Sequence, residues 1–143
     1  MREDLIRLLH DGNYSCVVSK DGEIRTFTRR GVVDLFELYR SDPDFMRGAK
    51  VADKVIGKGA AAMLALGGVS EVWTDVISEP ACELLEKCGV ELSYDEKVPF
   101  IINRTRTGRC PLETVCDVSD NPEVLYPVIC DFVKKMQEKP SAG

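Results

Sequence analysis

Residues 51–68 read VADKVIGKGAAAMLALGG, the most apolar stretch of the chain. Val55, Ile56, Ala60, Ala61, Met63, Leu64 and Leu66 leave little polar face after Lys58. A helix that is apolar nearly all round is a buried helix. The pattern therefore predicts a core helix over 53–66, entered from a short extended piece at 49–52. Its alanines, with Gly57 and Gly59, let it pack closely on a sheet. Gly67-Gly68 stops it, because glycine readily takes the left-handed conformation that ends helices.

Downstream, 71–77 reads as a strand carrying Val72, Trp73, Val76 and Ile77. Ser78 suits an N-cap and Pro80 the first turn of a helix over 79–88. That helix buries Ala81, Leu84 and Leu85 and stops at Gly89, before a strand at 90–94. Residues 98–103 are extended and apolar, and 103–110 form a polar loop. One helical turn is expected at 111–116 and a final helix over 123–136, with 137–143 as a frayed tail. Upstream, 4–10 reads as a helix with an apolar stripe of Leu5, Ile6, Leu8 and Leu9. Residues 14–28 form an antiparallel hairpin about the Asp21-Gly22 turn signal, and 32–39 a helix that Pro43 closes off. The expected fold is α/β: a three-layer α-β-α sandwich in one domain, 1–136, whose mixed sheet begins with the N-terminal antiparallel hairpin.

Composition narrows the function classes. The 143 residues are 44% hydrophobic and 30% charged, with a net charge of −5. That balance is ordinary for a globular domain and argues against a nucleic-acid partner, which needs a basic face. The run 60–66 falls far short of the roughly 20 apolar residues that span a bilayer. The charged start, Met1-Arg2-Glu3-Asp4, lacks a secretory apolar region, so a cytoplasmic chain without membrane association is expected. Six cysteines, at 16, 82, 88, 110, 116 and 130, include no CxxC pair, and His10 is the one histidine. Reduced thiols and no structural zinc follow. Cys16, Cys82, Cys88, Cys116 and Cys130 sit in apolar patterns and read as core.

That order of elements resembles the cytidine-deaminase-like superfamily. Val51-Ala52-Asp53 opens the buried helix where zinc deaminases carry His-x-Glu, and Ser78-Glu79-Pro80-Ala81 opens the next where they carry Pro-Cys-x-x-Cys. More closely, the chain resembles an uncharacterised bacterial domain-of-unknown-function family within that superfamily. The matching segments are Val51 to Lys58, Ser78 to Ala81, Val98-Pro99-Phe100-Ile101-Ile102-Asn103-Arg104 and Thr107-Gly108-Arg109-Cys110-Pro111-Leu112-Glu113. A zinc deaminase needs three His or Cys ligands and a proton-shuttling glutamate. Here Val51 holds the histidine position, Ala81 and Leu84 the cysteine positions, and Asp53 the glutamate position. The resemblance thus implies a deaminase-like domain with no metal or other cofactor and no zinc catalysis.

The resemblance also brings the starts of the two helices together, with Asp53, Lys54, Ser78 and Glu79 lining one pocket. Helix N-termini favour anions. Lys54 and Lys58, with Asn103 and Arg104 from the loop, would complete a site for a small anionic, nucleotide-related ligand. The bland counterpart makes Asp53 and Ser78 N-caps and Lys54 a solvated charge. A second possibility is a metal-free enzyme in which Cys110, fixed between Gly108 and Pro111 and beside Arg109, is the nucleophile. Asp53 or Glu79 would then be the acid/base. A third is a structural or assembly role, with a homodimer expected.

Overall fold

The computed structural model describes residues 2–29, 32–101 and 111–138. Helix α1 (Arg2–Asp11) leads into the hairpin β1 (Cys16–Lys20) and β2 (Glu23–Phe27). Asp21 and Gly22, at φ 49° and 86°, make its turn. Two successive left-handed residues match the twist of paired strands. Helices α2 (Val33–Ser41) and α3 (Pro43–Met46) precede β3 (Lys50–Ile56), α4 (Lys58–Gly67), β4 (Glu71–Ser78), α5 (Glu79–Lys87) and β5 (Glu91–Val98). After 102–110 come α6 (Pro111–Val115), a 3-10 turn (Cys116–Val118) and α7 (Pro122–Glu138). No helix among the described residues is long and apolar enough to cross a membrane.

The five strands lie in the order β2-β1-β3-β4-β5. Both contacts of β1 are antiparallel, whereas β3, β4 and β5 run parallel. The mixed sheet led by an antiparallel hairpin is as the sequence predicts. The helices divide unequally between its faces. On one face Leu5 and Leu9 of α1 close over Val17 and Ala52, with Trp73 at the margin. On the other, α2, α4, α5 and α7 build the main core over Val18, Val51 and Val72. Met63, Leu64, Leu84, Leu85, Leu125 and Ile129 are among its largest fully buried residues.

The decisive stretch folds differently from its sequence reading. Residues 50–56 are a central strand, and the helix begins at Lys58, not at 53. A parallel strand covered on both faces is a continuous apolar run, and periodicity cannot tell such a run from a buried helix. Gly57 is the junction: it is the N-cap of α4, at φ −96° and ψ −179°. Asp53 is therefore no N-cap. The other differences are smaller. β5 runs on to Val98, a short helix follows Pro43, and the last helix continues to Glu138. Cys88, expected in the core, is exposed at the end of α5, where the helix turns out to solvent, and Cys130 is half-buried.

Candidate functional site

The parallel unit β3-α4-β4-α5-β5 brings strand carboxyl ends and helix N-termini to one end of the sheet, the end where open α/β sheets bind ligands. Ile56 pairs with Ile77 there, so the starts of α4 and α5 emerge side by side. Ser78 is fully buried and its hydroxyl accepts from the Ala81 amide at 3.2 Å, capping α5. Such a cap stabilises a helix by about 1 kcal/mol. Glu79 begins α5 with an exposed side chain. α4 starts at Gly57-Lys58-Gly59 with no side-chain cap. An ideal Cβ on Gly59 would stand 2.7 Å from Leu112 Cγ, so the missing side chain is what lets α6 lie against the start of α4.

Just inside this end, both central strands break their alternation. Val51 and Ile56 are five residues apart yet bury in the same core, and so do Val72 and Ile77. Strict alternation would put each pair on opposite faces. The break begins at Asp53 and Thr74, which lie opposite each other. Asp53 Oδ1 accepts from the Val55 amide at 3.2 Å, and Thr74 Oγ1 donates to the Val76 carbonyl at 3.0 Å. Val55 is turned outward, 48% exposed, while Asp53 and Thr74 stay buried.

Asp53 is the most perturbed carboxyl group of this region. Burial pushes its pKa up to about 7, against the pull of hydrogen bonds from the Val55 amide and the Cys16 thiol. Cys16 lies opposite Asp53 on β1. Its thiol is raised well above the ordinary range by burial and then by the Asp53 carboxylate beside it. At neutral pH the thiol keeps its proton while the carboxyl group is about half protonated, which suits acid/base work at Asp53 rather than thiolate attack by Cys16.

The sequence-predicted residues do not all converge. Asp53 lies within β3, Ser78 and Glu79 start α5, and Lys58 starts α4. Lys54 leaves the group: the next residue in a strand faces the other way, and its ammonium donates to Asn13 at 2.8 Å beyond α1. The Lys58 ammonium is buried and pairs with Asp120 at 2.9 Å, while Asp120 also meets Lys87 at 2.8 Å. These two ammonium groups hold the Asp120 carboxyl down at about 2. Asn103, Arg104 and Cys110 lie outside the described residues.

Three arrangements have no counterpart in the sequence reading. His10 Nε2 donates to the Asp75 carboxylate at 2.8 Å, and the imidazole meets the Trp73 ring edge-on. Arg29 binds buried Asp34 through Nε at 2.6 Å and Glu37 through its terminal nitrogens. Both bridge 5 to 65 residues of sequence and have no periodic signal. An open concavity of about 310 Å³ at the opposite end of the sheet lies between Lys20, Arg25, Asp42 and Phe45. Its charges are already committed: Arg25 pairs with Asp42 at 3.0 Å and stacks on Phe45, and Lys20 donates to the Asp44 carbonyl.

The zinc that a deaminase-like fold implies does not fit the donor set. The two helix starts offer Gly57, Lys58 and Gly59 on one side and Ser78, Glu79 and Pro80 on the other, so Glu79 is the single oxygen-anion donor among them. Zinc sites take three or four His, Cys or carboxylate ligands. Among the described residues no three such side chains are grouped to hold a metal ion.

Comparison with known proteins agrees with this architecture. The crystal structure of a DUF1893 family protein, TM1506, from Thermotoga maritima is similar at a TM-score of 0.85 and 26% identity, over 92% of this chain and 88% of that one. No curated protein matches the chain. Residues 4–133 match the family described as TM1506, domain of unknown function (DUF1893), and the chain belongs to that family.

Proposed function

We propose that this domain is a cytidine-deaminase-like fold without zinc catalysis that binds a small anionic, nucleotide-related ligand where β3 and β4 end. The observation that carries the reading is the start of α4. It follows a central parallel strand, has glycine on both sides of Lys58 and no side-chain cap, and emerges beside the start of α5. The amides and dipole at a helix start favour phosphate or carboxylate. Asn103 and Arg104 complete the proposed set. Lys54 is withdrawn from it, because its ammonium serves the other face. Lys58 contributes from within its ion pair with Asp120.

Thermal unfolding against inorganic phosphate, nucleosides and nucleoside mono-, di- and triphosphates tests the proposal. A ligand at 100 times its Kd stabilises by about 2.7 kcal/mol. The expected result is a raised midpoint with at least one phosphate-bearing compound, none with the bare nucleosides, and loss of the shift in Arg104→Ala. No shift with any compound at millimolar concentration defeats it.

Asp53 favours a second reading, a metal-free enzyme. A buried carboxyl group near 7 is matched to acid/base work at neutral pH, with Cys110 as the nucleophile and Glu79 at the mouth. Leu112, packed on Gly59, returns the chain to this end of the sheet. Alkylation by iodoacetamide at pH 7, mapped by peptide mass spectrometry, should modify Cys110 well before the exposed Cys88. Equal rates at the two thiols would remove the case for an activated nucleophile.

A further inference from the structure

We propose that α1 is a strap that holds Asp53 in place from the opposite face of the sheet, through His10 on Asp75 and Asn13 on Lys54. The pairing of β3 with β4 runs from Lys50 with Glu71 to Ile56 with Ile77 and skips one pair, Lys54 and Asp75. Both skipped side chains turn to the α1 side. His10 Nε2 donates to the Asp75 carboxylate at 2.8 Å, and the Lys54 ammonium donates to Asn13 Oδ1 at 2.8 Å. The Lys54 amide is held there as well, by the Ser15 carbonyl at 3.1 Å. The end of α1 and the turn after it thus take hold of the two residues that the ladder omits.

Asp53 lies on the other face. Cys16, opposite it on β1, belongs to the main core, whereas Val17 and Ala52 lie under α1. Opposite residues of paired strands share a face, so Asp53 is on the core side. Its carboxyl group accepts from the Val55 amide, and the Thr74 hydroxyl donates to the Val76 carbonyl. One break in the ladder therefore has two sets of fasteners, one from the strands' own side chains and one from the α1 segment. The buried apolar seat of α1 is small: Leu5 and Leu9 on Val17 and Ala52. With so small a seat, the two polar ties matter to its hold.

The strap also acts through charge. Asp53 has the Cys16 thiol beside it on β1, Asp34 of α2 beyond that thiol, and Asp75 on β4. On its own strand, the Lys54 ammonium is turned away to Asn13. The Asp75 carboxylate disfavours a charge on Asp53. The His10 imidazole, when it carries its second proton, offsets that carboxylate. Removing the cation and removing the carboxylate therefore move Asp53 in opposite directions. What Asp53 does is taken from the second reading above, but its carboxyl group is measured directly. A failed Cys110 alkylation leaves the strap standing, and a failed strap leaves the alkylation test untouched.

Carboxyl-carbon NMR of the full chain follows the Asp53 titration. His10→Gln is expected to raise the Asp53 midpoint by about half a unit, and Asp75→Asn to lower it by as much. His10→Arg, which keeps a cation beside Asp75, should leave the midpoint near its native value. Amide exchange tests the mechanical hold. His10→Gln combined with Asn13→Gly releases both ties, and glycine suits the φ of 54° at that position. The Val55 amide, which donates to Asp53, should then exchange about tenfold faster, together with the amides of α1. A midpoint that stays in place, or that moves the same way in His10→Gln and Asp75→Asn, overturns the proposal. So does a Val55 amide that exchanges as it does in the native chain.

Discussion

Asp53→Asn is expected to be more stable than the native chain at pH 8, by up to about 4 kcal/mol, and equal to it near pH 4. The native carboxyl group moves from 3.8 to about 7 on folding, chiefly because burial disfavours its charged form. A pKa raised by folding means that the native state binds the extra proton between those values. Stability is then full below about 4, falls as pH rises, and reaches its lower plateau above about 7. Asparagine keeps the shape and an acceptor for the Val55 amide but carries no charge, so the slope disappears. Other shifted groups do not confuse the test. Glu37, lowered by Arg29, and Asp120, lowered by its two lysines, are present in both proteins and cancel in the difference. The Cys16 thiol is pushed upward, out of this pH range. Urea unfolding of both proteins at several pH values between 4 and 8 gives the comparison, and parallel curves would show that Asp53 ionises freely.

Asp120→Ala is expected to destabilise the native chain by about 2–3 kcal/mol. It removes the acidic partner at 2.9 Å from Lys58, whose side chain is only 4% exposed. A buried cation that loses its partner keeps its desolvation penalty, which is why breaking one side exceeds the worth of the pair. The figure lies below the usual range for buried pairs because Asp120 is itself 43% exposed and water can approach. Lys87→Ala should change little, since that lysine is on the surface. Lys58→Met combined with Asp120→Ala should recover most of the loss, because no charge is then left in the interior. An unchanged unfolding free energy in Asp120→Ala would mean that Lys58 is held by other contacts. The pH dependence has the opposite sign to that of Asp53. The depressed Asp120 carboxyl contributes stability above about 4 that is lost as pH falls towards 2. After solvent screening this amounts to on the order of 1 kcal/mol.

The two effects separate the legible from the illegible parts of the site. Ser78 was readable as a cap because a hydroxyl followed by proline and a helical pattern has a local signature, and it caps α5. Asp53 was readable as a residue of interest but not as a buried acid inside a strand. Its environment comes from Cys16, 37 positions away, and from the burial of β3 between two layers. Lys54 and Lys58, four apart, looked like one basic face of a helix. The strand-to-helix junction at Gly57 separates them, so one ammonium goes to Asn13 and the other to Asp120. Neither partner has any sequence relation to its lysine.

From the residues alone came the α/β class, the antiparallel N-terminal hairpin, the strand-cap-helix unit at 71–88 and the apolar core segment. Each rests on interactions within a few residues or on a periodic pattern, and such signals need no distant partner. The tertiary structure decided that 50–56 is a central strand, which lysine meets which acid, and which strands α1 packs on. These are choices among states of similar local energy, and a neighbour remote in the chain makes them: the flanking strands for 50–56, Asp120 for Lys58, β3 for α1. A single sequence holds both partners of every such contact but does not pair them.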